Sequence, residues 1–546
     1  MKKITLLFAL FAFLSAQAQW TSDTAENTLV SNISSGDAKS VGTSTGGTFI
    51  AFWKVVAAPT NYELWVQYLD ADGNRQFGDD GMLVSNTIPM STSTLLWKTT
   101  IDKNDNFYIS LTGSATGNPA FIFKITTAGT LPWGENGISI GAGYVPTLLP
   151  LSNGEVVVSY WPGSQKAKLR KYSAAGEAIW ENPIDIVGAS TSSATIPADL
   201  YELSNGDIEV VFHQKFTFGV ASNLYAQKFN SEGVSQWTAP IQLSDKGTSY
   251  NALYSGTQDG DIIYYGFSGA TGNRYDSYVQ RINPDGTTPW GLNGMDFDTD
   301  QTNYEMDTKI AFESGSDYVW AISRYTPSSQ DLQGEYVQKF DKNTGERQFS
   351  DNAKSVFPIS DAYRNHISDL FLTNDSPVFL IKSGFDNGVS PVTLNAVLLN
   401  SDGEFAWEEE FLPMATFASS KGRITFNRPV AEQAVVVFTE EKTSGATKIY
   451  AQNLTNALLL AADNFTSEKV ATTLYPNPTN GLFTIQSDEK IKSVTVYNSS
   501  GKMVYATSEH HALTANIDSK TWSNGFYFVK ITSDKGAQKT VKFIKN

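Results

Sequence analysis

The sequence predicts an all-β protein that is built from a repeated strand unit and ends in a smaller β-module. The first observation is the composition: 42 glycines and 12% aromatic residues, with only 18% charged residues, a mixture that favours strands and turns over helices. The second is a pattern of strand, turn and aromatic residue that recurs about every 55 residues. The third is a set of short apolar runs, separated by turns, in about the last 75 residues.

The repeat has a glycine at the end of a turn and an aromatic residue four positions later. The seven copies are Gly73 with Phe77, Gly129 with Trp133, Gly176 with Trp180, Gly233 with Trp237, Gly286 with Trp290, Gly345 with Phe349, and Gly403 with Trp407. A large ring at one fixed place in each copy can fill the wedge between neighbouring sheets, where it buries about 150–250 Å². We therefore interpret these aromatic residues as structural docking residues and not as ligand platforms.

A strongly apolar strand precedes each copy, and an eighth such strand, at 432–438, is not followed by the glycine and the aromatic residue. The part that is missing there resembles the region around Trp20 and residues 28–32. We predict that the strand 28–32 pairs with residues 448–454 and closes a ring, because an open ring would expose strand edges. This organisation predicts an eight-bladed β-propeller over residues 19–460.

One copy has a more specific resemblance. The segment from Phe340 through Asp341 and Gly345 to Phe349 is similar to the tryptophan-docking repeat of quinoprotein-type propellers, which also have eight blades. The other copies keep only the glycine and the aromatic residue. The resemblance therefore implies a shared geometry and brings no cofactor residues with it.

Residues 1–18 have the features of a secretory signal peptide. Lys2 and Lys3 precede an apolar run of 11 residues at 4–14, and Ala16-Gln17-Ala18 forms a cleavage site of small residues. The apolar run is too short to span a bilayer, which needs about 20 residues. We expect the mature chain to begin near residue 19.

After a linker at 461–473, residues 474–546 form a small Lys-rich module of the β-sandwich, immunoglobulin-like type. The predicted strands lie at 483–485, 493–497, 503–505, 526–531 and 540–544. The motif residues are Tyr475, Pro476, Asn477, Pro478, Gly481, Gly501, Gly525, Tyr527 and Lys542. In their order and terminal position they resemble the type A C-terminal sorting domain of the type IX (Por) secretion system.

This resemblance implies a route out of the cell. Proteins with this domain enter the periplasm, contact the type IX secretion machinery, cross the outer membrane and lose the domain. They are then released or attached to surface lipopolysaccharide. We therefore expect a secreted or cell-surface protein.

The sequence also limits the chemistry of the body. It contains no cysteine, which excludes disulfides and thiolate sites, and its net charge of −16 argues against nucleic acid as a partner. His213 and His366 could act as an acid or a base, but no serine elbow or metal pair accompanies either. The alternation of Asp and Asn at 70–74 and 102–106 favours hairpin turns and leaves calcium as an alternative. No other cofactor is evident.

A ligand site, if present, is expected on the face formed by the links between blades and by the loops that join second and third strands. Those loops include 161–163, 213–219, 268–276, 324–333 and 382–390. The candidate binding residues in them are Trp161, His213, Arg274, Tyr275, Arg324 and Tyr325. Aromatic and arginine side chains suit a glycan or a protein ligand. We therefore predict a non-enzymatic binding or adhesion module, with a polysaccharide- or peptide-degrading enzyme as the alternative.

Overall fold

The computed structural model of the chain describes residues 20–91, 97–163, 166–190, 193–215, 222–248, 254–385, 391–430, 433–454, 472–498, 502–534 and 538–546. Within these ranges every regular element is a β-strand. No helix long and apolar enough to cross a membrane occurs in these ranges. The predicted signal peptide at 1–18 and linker residues 461–471 lie outside them.

Strands before residue 454 fall into successive antiparallel units of four strand positions, each unit matching one sequence repeat. Unit 1 contains β2 (Ala38–Gly42), β3 (Thr48–Val55), β4 (Tyr62–Leu69) and β5 (Met82–Ser85). Unit 2 contains β6 (Trp97–Ile101), β7 (Phe107–Thr112), β8 (Pro119–Ile125) and β9 (Ile138–Ala142). Unit 3 contains β10 (Tyr144–Pro150), β11 (Val156–Trp161), β12 (Lys168–Tyr172) and β13 (Ile184–Asp185). Unit 4 contains β14 (Ala194–Glu202), β15 (Ile208–Lys215), β16 (Ser222–Phe229) and β17 (Ile241–Thr248).

The second half of the body repeats this plan. Unit 5 contains β18 (Tyr254–Asp259), β19 (Ile262–Thr271), β20 (Arg274–Ile282) and β21 (Met295–Asp296). Unit 6 contains β22 (Tyr304–Ala311), β23 (Tyr318–Thr326), β24 (Gln333–Asp341) and β25 (Lys354–Ser360). Unit 7 contains β28 (Ser376–Ser383), β29 (Val392–Leu398), β30 (Leu412–Ser419) and a divided first strand, β26 (Asn365–His366) and β27 (Phe371–Thr373). Unit 8 contains β31 (Lys421–Phe426), β32 (Val435–Thr443), β33 (Ala446–Asn453) and the N-terminal β1 (Thr28–Leu29).

The N-terminal strand supplies the outer strand of unit 8. Thr28 pairs with Ala451 and Leu29 with Tyr450, and the N–H of Val30 donates to the carbonyl of Ile449 at 3.0 Å. The pairing predicted between the start of the mature chain and residues 448–454 is therefore confirmed. Because β33 would otherwise present an unpaired edge, this contact completes the last unit.

Apolar clusters lie between each unit and the next, because the middle strands are buried on both faces. The last of these clusters joins unit 8 to unit 1 and includes Val30, Ile50, Phe52, Val437 and Ile449. The described units therefore form a closed ring, with cores between the sheets as in a propeller.

Docking aromatic rings join the turns of successive units. The ring of one unit covers the turn glycine of the next: Trp20 on Gly73, Phe77 on Gly129, Trp133 on Gly176, Trp180 on Gly233, Trp237 on Gly286, Trp290 on Gly345, and Phe349 on Gly403. These glycines have φ between 71° and 88°, and an added Cβ would lie 2.9–3.3 Å from the covering ring. Glycine is thus favoured both by the backbone and by the close approach. Trp407 packs in the core between units 7 and 8.

The C-terminal module is a five-stranded arrangement with its own core. Its strands are β34 (Thr472–Tyr475), β35 (Leu482–Asn498), β36 (Met503–Asp518), β37 (Gly525–Ser533) and β38 (Gln538–Lys545). The order is β34-β35-β37-β38, and β36 pairs with β35. The predicted strands at 483–485 and 493–497 are parts of the single strand β35, whose register shifts between Gln486 and Ile491. A register shift lets one strand change direction without ending.

Candidate binding site

The six candidate binding residues lie in separate parts of the ring. Trp161 ends β11, and its ring lies 5.9 Å from that of Tyr144. His213 lies on β15, is only 1% exposed, and has its Nδ1 atom 2.9 Å from the hydroxyl of Thr248. Because the His213 ring is buried, a ligand at the surface does not reach it in this structure.

Arg274 and Tyr325 meet in a buried acidic cluster between units 5 and 6. The Arg274 guanidinium lies 2.5 Å from Asp276 Oδ1, and the Tyr325 hydroxyl donates to Asp298. Tyr325 is 2% exposed and therefore does not belong to the surface, contrary to its expected place on the loop face. Tyr275, beside Arg274, is half-buried.

Burial governs the protonation of this cluster. It raises the pKa of Glu305 and of Asp298, and it raises the pKa of Asp296 to about 6, with a further contribution from the charge of Asp276. The N–H of Ser277 also donates to Glu305 at 3.0 Å. We interpret the cluster as a structural network that joins two units, because Asp298 and Glu305 are each 1% exposed.

Arg324 lies elsewhere, in a cavity of about 460 Å³ between units 6 and 7. We call this cavity the loop-face pocket. It is lined by Asp307, Lys309, Arg324, Gln330, Gln333, Tyr363, Asn365, His366, Ile367, Lys382, Gly384 and Phe385. Most of these residues come from the end of a second strand, the loop that follows it, the start of a third strand or the link between the two units, which is the face predicted for a ligand. Asp307 and Lys309 come from β22, the first strand of unit 6.

A β-bulge shapes one wall of the pocket. The pairing of β22 with β23 shifts between Met306 and Lys309, and Asp307 has a left-handed φ of 59°. The bulge re-aims the side chains around it, as bulges near sites commonly do. The Nε2 atom of His366 lies 2.6 Å from the Asp307 carbonyl, which can only accept, so this nitrogen carries a proton and donates.

The other nitrogen of His366 faces a buried carboxylate. Nδ1 lies 2.9 Å from both oxygens of Glu335, and the backbone N–H of His366 donates to the same carboxylate at 2.6 Å. Burial raises the pKa of Glu335, and the proximity of His366 opposes that rise. Both ring nitrogens of His366 are therefore occupied, and its role is to hold the Asp307 bulge in place.

Three of the twelve lining residues carry a cationic Lys or Arg side chain. Arg324 Nη2 lies 2.6 Å from Asp307 Oδ2, and Lys309 lies 3.3 Å from Asp369 Oδ1. Lys382, near the end of β28, is the third cation. Asp307 is the only carboxylate among the lining residues that the structure describes.

An exposed aromatic pair forms one edge of the pocket. The Phe385 side chain is 54% exposed, and its ring centroid lies 5.0 Å from that of Tyr363 at an interplanar angle of 56°. The Tyr363 hydroxyl donates to the carbonyl of Asp331 at 2.6 Å. An exposed Phe held by a fixed neighbour offers an apolar surface to a ligand.

Sequence reasoning identified Arg324 and the segment beginning at Lys382 but missed Lys309 and Tyr363. Lys309 lies on a first strand, and Tyr363 in a link between units, so neither belongs to the five loops in which the sequence predicted binding residues. A search for aromatic residues in the links would have found Tyr363. Loop residues 216–219 and 386–390 lie outside the described part of the chain.

A second cavity, of about 570 Å³, opens on the same face where units 8, 1 and 2 meet. Its walls include Trp53 and Trp97, but these are 3% and 5% exposed and serve mainly as core. The loop-face pocket is the stronger candidate because its aromatic edge is accessible.

The two Asp- and Asn-rich segments form side-chain-capped turns. Asp70 Oδ1 accepts the N–H groups of Asp72 and Asn74, at 3.0 and 2.9 Å. Asp102 Oδ1 accepts two N–H groups in the same way. Among the described residues, no group of three or more His, Asp or Glu side chains is arranged to hold a metal ion.

The sorting motif ties the start of the C-terminal module to its last strand. The side-chain oxygen of Asn477 accepts the N–H of Ile544 at 2.9 Å, and its amide nitrogen donates to the carbonyl of Lys542 at 3.2 Å. The Tyr527 hydroxyl donates to Ser523 at 2.7 Å. These motif residues therefore have local structural roles. Gly501 lies outside the described residues.

The closed ring of four-stranded units defines the body as a β-propeller. Residues 473–546 match the secretion system C-terminal sorting domain. The chain therefore carries a type IX secretion sorting domain behind a propeller, and this domain marks it for export to the cell surface or the extracellular space. A comparison with curated proteins found no match.

Several solved structures resemble the chain in fold. The β-propeller domain of the Trilobed protease from Pyrococcus furiosus is 10% identical over 77% of this chain and 95% of that one, with a TM-score of 0.35. Puromycin hydrolase is 10% identical over 78% of this chain and 61% of that one, with a TM-score of 0.39. An α-L-arabinanase from Penicillium chrysogenum, complexed with arabinobiose, is 11% identical over 57% of this chain and 92% of that one, with a TM-score of 0.32. At these values the similarity assigns no substrate or reaction to this chain.

Proposed function

We propose that the propeller is a non-enzymatic binding module and that the loop-face pocket is its ligand site, for a glycan or a protein. The pocket's composition carries this proposal: three cations, several carboxamides and an exposed aromatic edge surround a single carboxylate. That carboxylate, Asp307, is held by Arg324 at 2.6 Å. A group engaged in this way is suited to shaping a site more than to transferring protons.

The pocket is also fixed before a ligand arrives. Glu335 and His366 are buried and hold the bulge at Asp307, which in turn orients Arg324. A preorganised site loses less conformational entropy when it binds. This supports recognition as the role of the pocket.

We further propose the domain boundaries of the chain and the number of blades in the propeller. Residues 19–460 form one eight-bladed propeller, 461–473 a linker and 474–546 the removable sorting domain. The interlocking of unit 8 with unit 1 supports the count. After processing, the body is released or attached to surface lipopolysaccharide.

The second candidate is an extracellular hydrolase or lyase. The acidic cluster between units 5 and 6 favours it, since Asp296 has its pKa raised to about 6 and such perturbed carboxylates are common in catalytic sites. Against it, Asp298 and Glu305 are buried, and Arg274 and Tyr325 occupy the space around them. Binding is therefore the preferred function.

Glycan and peptide arrays probed with the full chain test the proposal, together with turnover assays on the polysaccharides and peptides that bind. We expect saturable binding without turnover. The enzymatic alternative replaces the proposal if a bound polymer is cleaved at a rate that depends on Asp296.

A further inference from the structure

We propose that the loop-face pocket takes a saccharide that carries carboxylate or sulfate groups. This inference rests on the proposed binding function and adds the class of ligand. Its basis is the combination of positive charge, carboxamide groups and an aromatic edge in one small cavity.

The charge of the pocket opposes that of the chain. The formal net charge of the chain is −16, yet Lys309, Arg324 and Lys382 line the pocket together with one carboxylate, Asp307. A second carboxylate, that of Asp369, pairs with Lys309 from outside the lining and leaves the local charge positive. A local excess of positive charge in a concave site attracts anions and strengthens their hydrogen bonds. The lining therefore favours an anionic group over a neutral or cationic one.

Arg324 is placed to receive part of that group. Asp307 contacts one terminal nitrogen of its guanidinium at 2.6 Å, and the side chain is 22% exposed. A guanidinium has five N–H donors, so a second carboxylate or a sulfate could bind beside Asp307 without displacing it. The ammonium groups of Lys309, which also pairs with Asp369 at 3.3 Å, and of Lys382 carry N–H donors that suit either anion.

The remaining lining suits the hydroxyl groups and the ring of a sugar. Gln330, Gln333 and Asn365 each present both donors and acceptors, which hydroxyl groups require. Phe385 and Tyr363 provide an apolar edge for the C–H face of a pyranose ring. A cavity of about 460 Å³ fits a short saccharide segment, whereas a stable protein partner needs about 800 Å² of surface on each side.

Calorimetric titration of the full chain with three trisaccharides tests the proposal: a galacturonate trimer, a sulfated galactose trimer and a neutral galactose trimer. We expect one or both anionic trimers to bind at least tenfold more tightly than the neutral one. Binding should also weaken as salt is raised, because screening reduces the attraction.

Two variants locate the site. Lys382→Gln and Phe385→Ala should each weaken binding of the anionic trimer at least fivefold. The matched controls are Lys54→Gln, a lysine outside the pocket, and Leu292→Ala, which removes a side chain that is 50% exposed. Unchanged thermal unfolding of all four variants separates loss of binding from loss of folding.

The outcomes distinguish this inference from the function on which it rests. If the neutral trimer binds as tightly as the anionic trimers, the proposed preference for an anionic saccharide is wrong. The same holds if an acidic peptide binds and none of the trimers does. Either result leaves the binding function intact. The absence of binding by both anionic trimers also overturns the inference. Cleavage of a bound trimer overturns the non-enzymatic function but not the preference for anions.

Discussion

The indole N–H of Trp20 donates a 2.8 Å hydrogen bond to the carbonyl of Ala71, in the first unit of the ring. Trp133 makes the corresponding bond to Ala174 in the next unit, at 3.2 Å. The N-terminal Trp20 therefore has the position of a docking residue of unit 8. It closes the ring at the turn, while β1 closes it at the sheet.

Removing the Trp20 ring should destabilise the contact between unit 8 and unit 1 that closes the ring. We expect Trp20→Ala to destabilise the propeller by about 2 kcal/mol or more, because it removes packing on Gly73 together with the hydrogen bond. Trp20→Phe keeps most of the packing and should cost only about 1 kcal/mol. Denaturant unfolding of the two variants measures both values, and equal stability of Trp20→Ala and the natural protein would show that the docking contact is dispensable.

The turn glycines have two separate requirements, which a pair of substitutions can distinguish. Gly286 and Gly206 have φ of 88° and 82°, so alanine at either should cost about 1–2 kcal/mol. An added Cβ at Gly286 would also lie 2.2 Å from Ile241 Cδ1 and 2.9 Å from the ring of Trp237, whereas nothing lies within 4 Å at Gly206. We expect Gly286→Ala to cost about 1–3 kcal/mol more than Gly206→Ala in urea unfolding.

The Gly206 variant serves as the control for backbone strain alone. If the two variants lose the same stability, the close approach of the Ile241 side chain and the Trp237 ring to Gly286 contributes nothing beyond the backbone requirement.

Glu209 should make the stability of the propeller depend on pH. It is fully buried between units 4 and 5, and neither carboxylate oxygen has a hydrogen-bond partner among the described residues. Burial raises the pKa of Glu209 to about 8, and the positive charge of Lys228 opposes this rise. In six other units the matching position holds Phe49, Tyr108, Val157, Tyr264, Trp320 or Val378. The folded state therefore keeps a proton that the unfolded state loses above about pH 4.5.

The contribution of Glu209 to the free energy of unfolding therefore falls as the pH rises from about 4.5 to about 8, by up to about 1.4 kcal/mol per pH unit. Above about pH 8 this contribution no longer changes with pH. We expect Glu209→Leu to raise the unfolding temperature at pH 8 and to flatten its dependence on pH in this interval. Glu232→Leu, at an exposed position, is the matched control. An unchanged pH profile in Glu209→Leu would contradict the assignment.

Export should depend on the C-terminal module. We expect a chain that lacks residues 473–546 to remain in the periplasm, because the matched sorting domain is what addresses the protein to the type IX machinery. Cell fractionation and immunoblotting measure this. In the converse experiment, the same residues fused to a periplasmic reporter should direct it out of the cell, and secretion of the truncated chain at the natural level would contradict the assignment.

Much of the ring was predictable because the propeller repeats one local pattern. The glycine and the aromatic residue mark each turn, and the absence of both after β33 pointed to the N-terminal strand as the missing piece. The sorting module was predictable for a similar reason: motifs such as Asn477 and Tyr527 have fixed places in a short segment. In β35 the prediction divided one strand into two, because a register shift interrupts the apolar alternation without ending the strand.

The candidate site was only partly predictable. Arg324, predicted on the loop face, lines the loop-face pocket, but Tyr325, its neighbour, points into the acidic cluster between units 5 and 6. Neighbouring residues of a strand face opposite sides, and the sequence does not show which side meets an open cavity. Likewise, nothing local to His213 shows that Thr248, 35 residues away, encloses its ring.

By itself, the sequence determined that this protein is all-β, repetitive, closed by its own N-terminus and addressed for export, since each of these is written in local patterns and their order. The tertiary structure decided where a ligand could bind. The loop-face pocket depends on two units meeting, on a bulge at Asp307, and on the buried pair of Glu335 and His366 that supports it. Residues far apart in the chain become neighbours there only because the ring packs one sheet against the next.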